Sequence, residues 1–209
     1  MTSQHYIRLP DAVRPLHAIA FDLDSTLTRP YLDFRKLRQQ LNLPEGDILK
    51  WLEELPPREK SRAQTLIETF EQDGVENVEW NDGAQETFET VRKIGLPVAI
   101  VTRNSRASLI AACQYLEISV DVLVAREDAP PKPDPACIHH TASQLGVSVS
   151  HLLMVGDYRH DIDAGRAAGA MTALLTNGYL PPWSVEVQAD LTIARIDELL
   201  DYLAVEQWR

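Results

Sequence analysis

Two aspartates separated by one residue carry the strongest chemical signal in the sequence. Asp22 and Asp24 follow directly on the short apolar run Leu16–Phe21, within the stretch AIAFDLDSTL. Alternate residues of an extended segment point to the same side, so both carboxylates should share one face. Crowded carboxylates repel, and a site that tolerates them usually binds a cation or keeps one of them protonated. A helix N-cap or a solvated turn is the alternative role for either aspartate on its own.

A second pair of acids, Asp157 and Asp161, follows the apolar run Leu152–Val155. Asp161 is expected in the first turn of a following helix, where the helix dipole alone favours an acid. The dipole does not account for Asp157, which comes directly after Gly156. Divalent cations such as Mg²⁺ take oxygen ligands. Asp22 and Asp157, at the ends of two strands, would supply part of the ligand shell of such an ion.

Two further polar signals also follow apolar runs. Thr102 ends the run Pro97–Val101, and its hydroxyl, with the amides at the start of the next helix, could bind a phosphoryl oxygen. Lys132 stands among prolines in PPKPDP, where a rigid loop would position its ammonium group. Alone, Thr102 is more typical of a helix cap and Lys132 of a solvated lysine. Four such signals in order, each after a predicted strand, favour one common site.

These residues need a sheet that brings strand ends together. Six short apolar runs are typical of buried parallel strands: Leu16–Phe21, Pro97–Val101, Val120–Ala125, Leu152–Val155, Met171–Leu175 and Ala189–Ile193. Amphipathic patterns predict helices at Gly83–Ile94, Ser105–Leu116, Pro135–Leu145, Asp161–Ala168 and Asp197–Val205. The alternation predicts an α/β fold with a doubly wound parallel sheet. In such a sheet the carboxyl ends of the strands form the ligand crevice.

One segment breaks this alternation. No convincing strand occurs between about residues 31 and 78, where helices are predicted at Tyr31–Leu41, Asp47–Leu55 and Arg58–Gln72. We therefore expect a small helical cap inserted after the first strand. The expected division is a core domain of residues 1–29 and 82–209 and a cap domain of residues 30–81. A helical block seated over one strand end is typical of a lid.

Together the motifs resemble, in order and spacing, the four motifs of the haloacid dehalogenase superfamily. They are DLDST at Asp22–Thr26, Thr102, Lys132 in PPKPDP, and Gly156-Asp157 followed by Asp161. The similarity runs from His17 to the C-terminus and is greatest to the phosphoglycolate phosphatase-like branch, which carries a helical cap between the first two motifs. This resemblance implies a Rossmann-like core and a Mg²⁺-dependent phosphotransfer site.

The resemblance also implies a role for each motif residue. Asp22 would be the nucleophile that forms an aspartyl-phosphate, and Asp24 the general acid and base. The expected phosphate-binding residues are Thr102, Arg103, Asn104 and Lys132. The expected metal ligands are Asp22, the backbone carbonyl of Asp24, and Asp157, with Asp161 supporting the site.

Composition narrows the expected partners and location. The chain has 209 residues, 31 of them acidic and 20 basic, with a net charge of −11. Nucleic acids and anionic membranes are unfavourable partners for this charge, whereas a small anionic substrate needs only a few local donors. No apolar run approaches the ~20 residues of a membrane span, and the first residues lack a signal-peptide pattern. We expect a cytoplasmic protein whose cysteines, Cys113 and Cys137, are free thiols.

The leading hypothesis is a Mg²⁺-dependent phosphatase that hydrolyses a small phosphorylated metabolite. One alternative is a phosphomutase, which returns the phosphoryl group to a bound sugar phosphate. Another is a catalytically silent binding protein on the same scaffold. A dehalogenase is disfavoured, because the resemblance implies that its chemistry lacks the second acid, which is present here as Asp24. The histidines at positions 139, 140, 151 and 160 are weak candidates for ligands.

Overall fold

The computed structural model describes residues 4–43 and 46–206. Its strands are β1 (Gln4–Leu9), β2 (Ala12–Pro15), β3 (Ala18–Phe21), β4 (Val98–Val101), β5 (Val122–Val124), β6 (Leu152–Gly156), β7 (Met171–Leu175), β8 (Leu191–Ile193) and β9 (Leu203–Glu206). Its α-helices are α1 (Phe34–Leu41), α2 (Ile48–Glu54), α3 (Pro57–Gly74), α4 (Ala84–Lys93), α5 (Arg106–Tyr115), α6 (Ala136–Leu145), α7 (Arg159–Ala168) and α8 (Leu199–Tyr202). Within these two ranges, no helix is both long and apolar enough to cross a membrane.

The main sheet has six parallel strands in the order β5-β4-β3-β6-β7-β8. The chain runs outward from β3 through β4 to β5, then returns beside β3 at β6 and runs outward the other way. The strand order therefore reverses around β3, and this is where ligands bind in open α/β sheets. The predicted doubly wound sheet is confirmed. Five of its six strands lie within a run that the sequence singled out, and β6 extends one residue beyond its run, to Gly156.

Both faces of this sheet are buried, which explains its continuous apolar runs. All four residues of β3 are fully buried. Ile19 and Phe21 pack on one face with residues of α4 and α5, whereas Ala18 and Ala20 pack on the other with residues of α6 and α7. Both cysteines are free and buried, one on each face, as expected.

Three helices, α1 to α3, fill the segment between β3 and α4, which confirms the predicted helical cap. Asp33 and Asp47 accept hydrogen bonds from the first amides of α1 and α2, and Pro57 begins α3. The three helices share a small apolar cluster built on Leu37, Leu52, Ala63 and Ile67. These helices thus bury an apolar face among themselves and present another side to the ends of the main strands.

A second, three-stranded antiparallel sheet, in the order β2-β1-β9, joins the two ends of the chain. The sequence predicts no strand before Leu16. In the structure the cap follows the first strand of the main sheet, which is the third strand of the chain. The predicted C-terminal helix at Asp197–Val205 is only partly correct, because its last residues form a strand. A 3₁₀ turn and the single turn α8 replace its first part, and from Leu203 the chain pairs with β1. Strand pairing by a distant segment overrides local helical periodicity here.

Candidate active site

The carboxyl ends of β3, β4 and β6 meet under the cap helices. The amide of Asp22 donates to the carbonyl of Val155 (2.9 Å), and the amide of Thr102 donates to that of Val124 (3.0 Å), so both side chains leave the sheet at the same edge. A cavity of about 570 Å³ opens there. The core contributes Asp22, Asp24, Ser25, Thr102, Arg103, Asn104, Lys132, Asp157, Tyr158, His160 and Asp161 to its wall. The cap contributes Phe34, Leu37, Arg38, Gly46, Asp47, Ile48, Leu49, Ile67 and Glu71.

Lys132 lies at the centre of the acidic residues and is 1% exposed. Its Nζ lies 2.6 Å from Asp22 Oδ1, from Asp161 Oδ1 and from the carbonyl oxygen of Val101. An ammonium group has three N–H donors, so each has an acceptor. Burial opposes the charged form, but the attraction of Asp161 and Asp22 outweighs it and raises the pKa of Lys132. The lysine is therefore a fixed positive charge beside Asp22.

Asp22, Asp157 and Asp161 form a cluster of three acids. One carboxylate oxygen from each lies within 4.8 Å of the others. Burial, with repulsion from Asp161 and Asp24, raises the pKa of Asp22 to about 7 despite the opposing effect of Lys132. Burial and the charges of Asp22 and Asp161 also raise the pKa of Asp157. One lysine does not balance these acids, and an all-oxygen donor set of this size suits a hard divalent cation.

Gly156 allows Asp161 to reach this cluster. A Cβ atom at Gly156 would lie 2.2 Å from Cγ of Asp161, which is closer than two non-bonded carbon atoms can approach. Asp161 also accepts a hydrogen bond from the amide of Tyr158 (3.0 Å) in the first turn of α7. Asp161 thus occupies the expected first turn of a helix, and it also contacts Lys132.

Asp24 has one fixed oxygen and one free oxygen. Its Oδ2 accepts a hydrogen bond from the side-chain amide of Asn104 (2.7 Å), whereas the buried Oδ1 has no hydrogen-bond partner. Burial raises the pKa of Asp24 to about 6, although the hydrogen bond from Asn104 counteracts the rise. A carboxyl group with such a pKa can hold or release a proton near neutral pH.

The six residues singled out first, Asp22, Asp24, Thr102, Lys132, Asp157 and Asp161, all line this one cavity. Arg103 and Asn104 line it as well, but their side chains contact protein groups. Asn104 donates to Asp24, while Arg103 donates to Asp47 of the cap (2.6 Å) and contacts His160.

Several residues at the site are not among those predicted from the sequence. Asp47 and Glu71 reach the cavity from the cap. The side-chain amides of Asn81 and Asn177 both donate to the carbonyl of Ser25 (3.3 and 2.8 Å), at the turn that follows Asp24. Ser25 has a φ of 61°, in the left-handed region that residues other than glycine rarely adopt, and the two hydrogen bonds stabilise this turn. None of these four residues belongs to a recognisable motif, since their partners are remote in sequence.

Comparison with known proteins identifies relatives over nearly the whole chain. A family model described as haloacid dehalogenase-like hydrolase matches residues 28–175. An uncharacterized hydrolase of Saccharomyces cerevisiae is 30% identical, with 91% of this chain and 92% of that protein covered. The N-acetylmuramic acid 6-phosphate phosphatase of Pseudomonas aeruginosa is 26% identical, with 90% and 95% covered. The phosphoglycolate phosphatase of Chromobacterium violaceum is 24% identical, with 91% and 98% covered.

The fold has solved counterparts. A hydrolase from Pseudomonas syringae superposes with a TM-score of 0.75 at 21% identity, with 88% of this chain and 96% of that chain covered. The family match, the relatives and the ordered motifs confirm the resemblance stated above: the chain belongs to the haloacid dehalogenase-like hydrolases, in their phosphoglycolate phosphatase-like branch.

Proposed function

We propose that the protein is a Mg²⁺-dependent phosphatase that hydrolyses the phosphate monoester of a small metabolite through an aspartyl-phosphate. One observation carries this proposal above the others. The carboxylate of Asp22 lies against the buried ammonium of Lys132 and within an acidic cluster, at the point where the strand order reverses. The relatives that are phosphatases of small phosphorylated compounds support the same class of substrate.

In the first step, a carboxylate oxygen of Asp22 attacks phosphorus and the bond to the leaving oxygen breaks. Asp24 gives its proton to that oxygen, so the leaving group departs as an alcohol. In the second step, Asp24 takes a proton from a water molecule whose oxygen attacks phosphorus. The bond to Asp22 then breaks, inorganic phosphate is released and both aspartates return to their starting state.

Charge stabilisation is the main requirement of this reaction, because the ester and the attacking carboxylate are both anionic. Lys132 would hold the transferring group, with Thr102 and the amides that follow it as further donors. Asp22, the backbone carbonyl of Asp24, and Asp157 would hold Mg²⁺, with Asp161 in support. When bound, this ion would offset negative charge on the phosphoryl oxygens.

The cap would recognise the leaving group of the ester. We propose that residues 30–81 act as a cap domain on a core of residues 1–29 and 82–209. The cap's contribution to the cavity wall is mostly apolar, from Phe34, Leu37, Ile48, Leu49 and Ile67. An apolar wall excludes water from the reacting groups, which strengthens the electrostatic interactions there.

Phosphate release from a panel of phosphorylated metabolites, with Mg²⁺ and with EDTA, tests this proposal. We expect release from at least one ester, its loss in EDTA, and its recovery when Mg²⁺ is added. Asp157→Asn should raise the Mg²⁺ concentration needed for half-maximal activity, whereas Asp201→Asn, which changes an exposed acid on α8, should not.

The alternatives give different outcomes in the same assay. Undiminished release in EDTA would contradict the metal-dependent mechanism. Transfer of the phosphoryl group to a second sugar phosphate, without free phosphate, would identify a mutase. Absence of both reactions, together with binding of a phosphorylated compound, would identify a silent binding protein.

A further inference from the structure

Among the described residues, two groups of charged side chains join the cap helices to the core beside the cavity, and they differ in burial. One group, which we name the clasp, consists of Asp47 from the cap and Arg103 and His160 from the core. Arg103 Nη2 donates to Asp47 Oδ1 (2.6 Å), and its other terminal nitrogen contacts Nδ1 of His160. The same nitrogen of Arg103 also lies 3.4 Å from Nε2 of His160. That Nε2 lies 3.6 Å from Asp47 Oδ2.

The second group, which we name the anchor, consists of Glu71 near the end of α3 with Arg126 and the amide of Ser105. Glu71 Oε1 accepts from Arg126 (2.5 Å) and Oε2 accepts from Ser105 N (3.0 Å). The side chains of Glu71 and Arg126 are 4% and 13% exposed, whereas those of Asp47 and Arg103 are 24% and 23% exposed. Breaking a buried ion pair costs more than breaking one that water can reach. The clasp is therefore the contact that opens more readily.

The clasp adjoins both halves of the proposed site. Arg103 directly follows Thr102 after β4, and His160 directly precedes Asp161 in the first turn of α7. One carboxylate of the cap thus draws together the loop expected to bind phosphate and the loop expected to support the metal. All three clasp residues also line the cavity wall.

We propose that Asp47 is a positioning residue that holds the cap closed over the bound ester by engaging Arg103 and His160, while the anchor stays intact. This inference rests on the proposed phosphatase function for its substrate. It adds that the cap opens at the clasp and that the side chain of Asp47 holds it closed. Asp47 does not take part in bond making, so its loss should weaken productive binding of the ester and leave the chemical step intact.

The variant Asp47→Asn separates closure from helix capping. Asparagine caps helices as well as aspartate, so α2 keeps its acceptor for the amides of Leu49 and Lys50 while the charge is lost. Asp33→Asn is the matched control, because Asp33 caps α1 in the same way and is exposed. Among the residues that the structure describes, it forms no ion pair with the core.

Steady-state kinetics with an ester that the wild type hydrolyses gives the first readout. We expect Asp47→Asn to raise KM about 5- to 30-fold with little change in kcat, and Asp33→Asn to leave both near wild type. In a variant that already carries Arg103→Gln, Asp47→Asn should raise KM less than twofold, because Asp47 has already lost its partner Arg103. A lowered kcat with an unchanged KM, or full additivity of the two substitutions, would overturn the proposal.

Hydrogen exchange gives a second readout that needs no turnover. In wild type with Mg²⁺ and orthovanadate, a phosphate mimic, amides of residues 46–55 should exchange more slowly than without them, and Asp47→Asn should remove most of this protection. Asp33→Asn should retain it. Equal protection in wild type and Asp47→Asn overturns the clasp even if the phosphatase is active. If no ester is hydrolysed, the proposed function fails, and loss of protection confined to Asp47→Asn still supports the clasp.

Discussion

At the residue scale, one buried ammonium group holds the acids of the site in place. Lys132 contacts Asp22 and Asp161 on two sides, and its third donor is taken by a strand carbonyl. Buried ion pairs contribute little net stability when complete, but removal of one partner leaves an uncompensated charge. The position of Asp22, which the proposed phosphoryl transfer requires, therefore depends on Lys132.

Lys132→Met should lower the free energy of unfolding by about 3–5 kcal/mol in the absence of metal, because its acidic partners remain buried. Mg²⁺ should restore part of the loss by binding the folded state. Chemical denaturation with and without Mg²⁺ measures both effects. Lys93→Met, at an exposed position, should change stability by less than about 0.5 kcal/mol. Equal losses in the two variants would contradict this account of Lys132.

Gly156→Ala should weaken Mg²⁺ binding about 10- to 100-fold, because the added methyl group displaces the carboxylate of Asp161, which we propose supports the metal ligands. Titration calorimetry of the folded variant measures the affinity directly. Asp161→Asn, which removes the charge without a steric clash, separates displacement of the carboxylate from loss of its charge. An unchanged Mg²⁺ affinity in Gly156→Ala would show that Asp161 has no influence on the metal.

At the scale of elements, the sequence predicted the main sheet well because its strands are buried on both faces. Such strands read as uninterrupted apolar runs, and β6 and β7 are fully buried along their length. The small sheet left a weaker signal. In β1 only alternate residues such as His5 and Ile7 are buried, and most of β9 lies within the helix-like pattern Asp197–Val205. Pairing between the two chain ends decides this structure, and local sequence does not encode the partner.

Ile7 nevertheless belongs to the main core, since it is fully buried among residues of the large sheet and its helices. Ile7→Ala should lower the free energy of unfolding by about 2–5 kcal/mol. Val13→Ala on the adjacent strand β2, where the side chain is 64% exposed, should cost less than about 0.5 kcal/mol. Thermal or denaturant unfolding compares the two variants. Similar small losses would mean that the N-terminal sheet does not contribute to the core.

At the scale of the whole molecule, the site combines parts that the sequence predicts to different degrees. The motif residues were found because each follows its own strand, and the topology then brings the strand ends together. Asp47 and Arg103 are 56 residues apart, and Asn81 and Asn177 are 96 apart. Such pairs carry no spacing signal, so contacts between cap and core required the structure. The net charge of −11 also gives no indication of the buried ammonium group of Lys132.

The position of the covalent phosphate tests the central claim most directly. Asp24→Asn should retain the nucleophile but lack the base for the second step, so an aryl phosphate with a good leaving group should load Asp22 and leave it phosphorylated. The sample is quenched after mixing with Mg²⁺ and the ester, digested, and mapped by mass spectrometry. The account predicts phosphate on Asp22, and none in a variant that also carries Asp22→Asn. Phosphate on another residue, or wild-type turnover by Asp22→Asn, would contradict it.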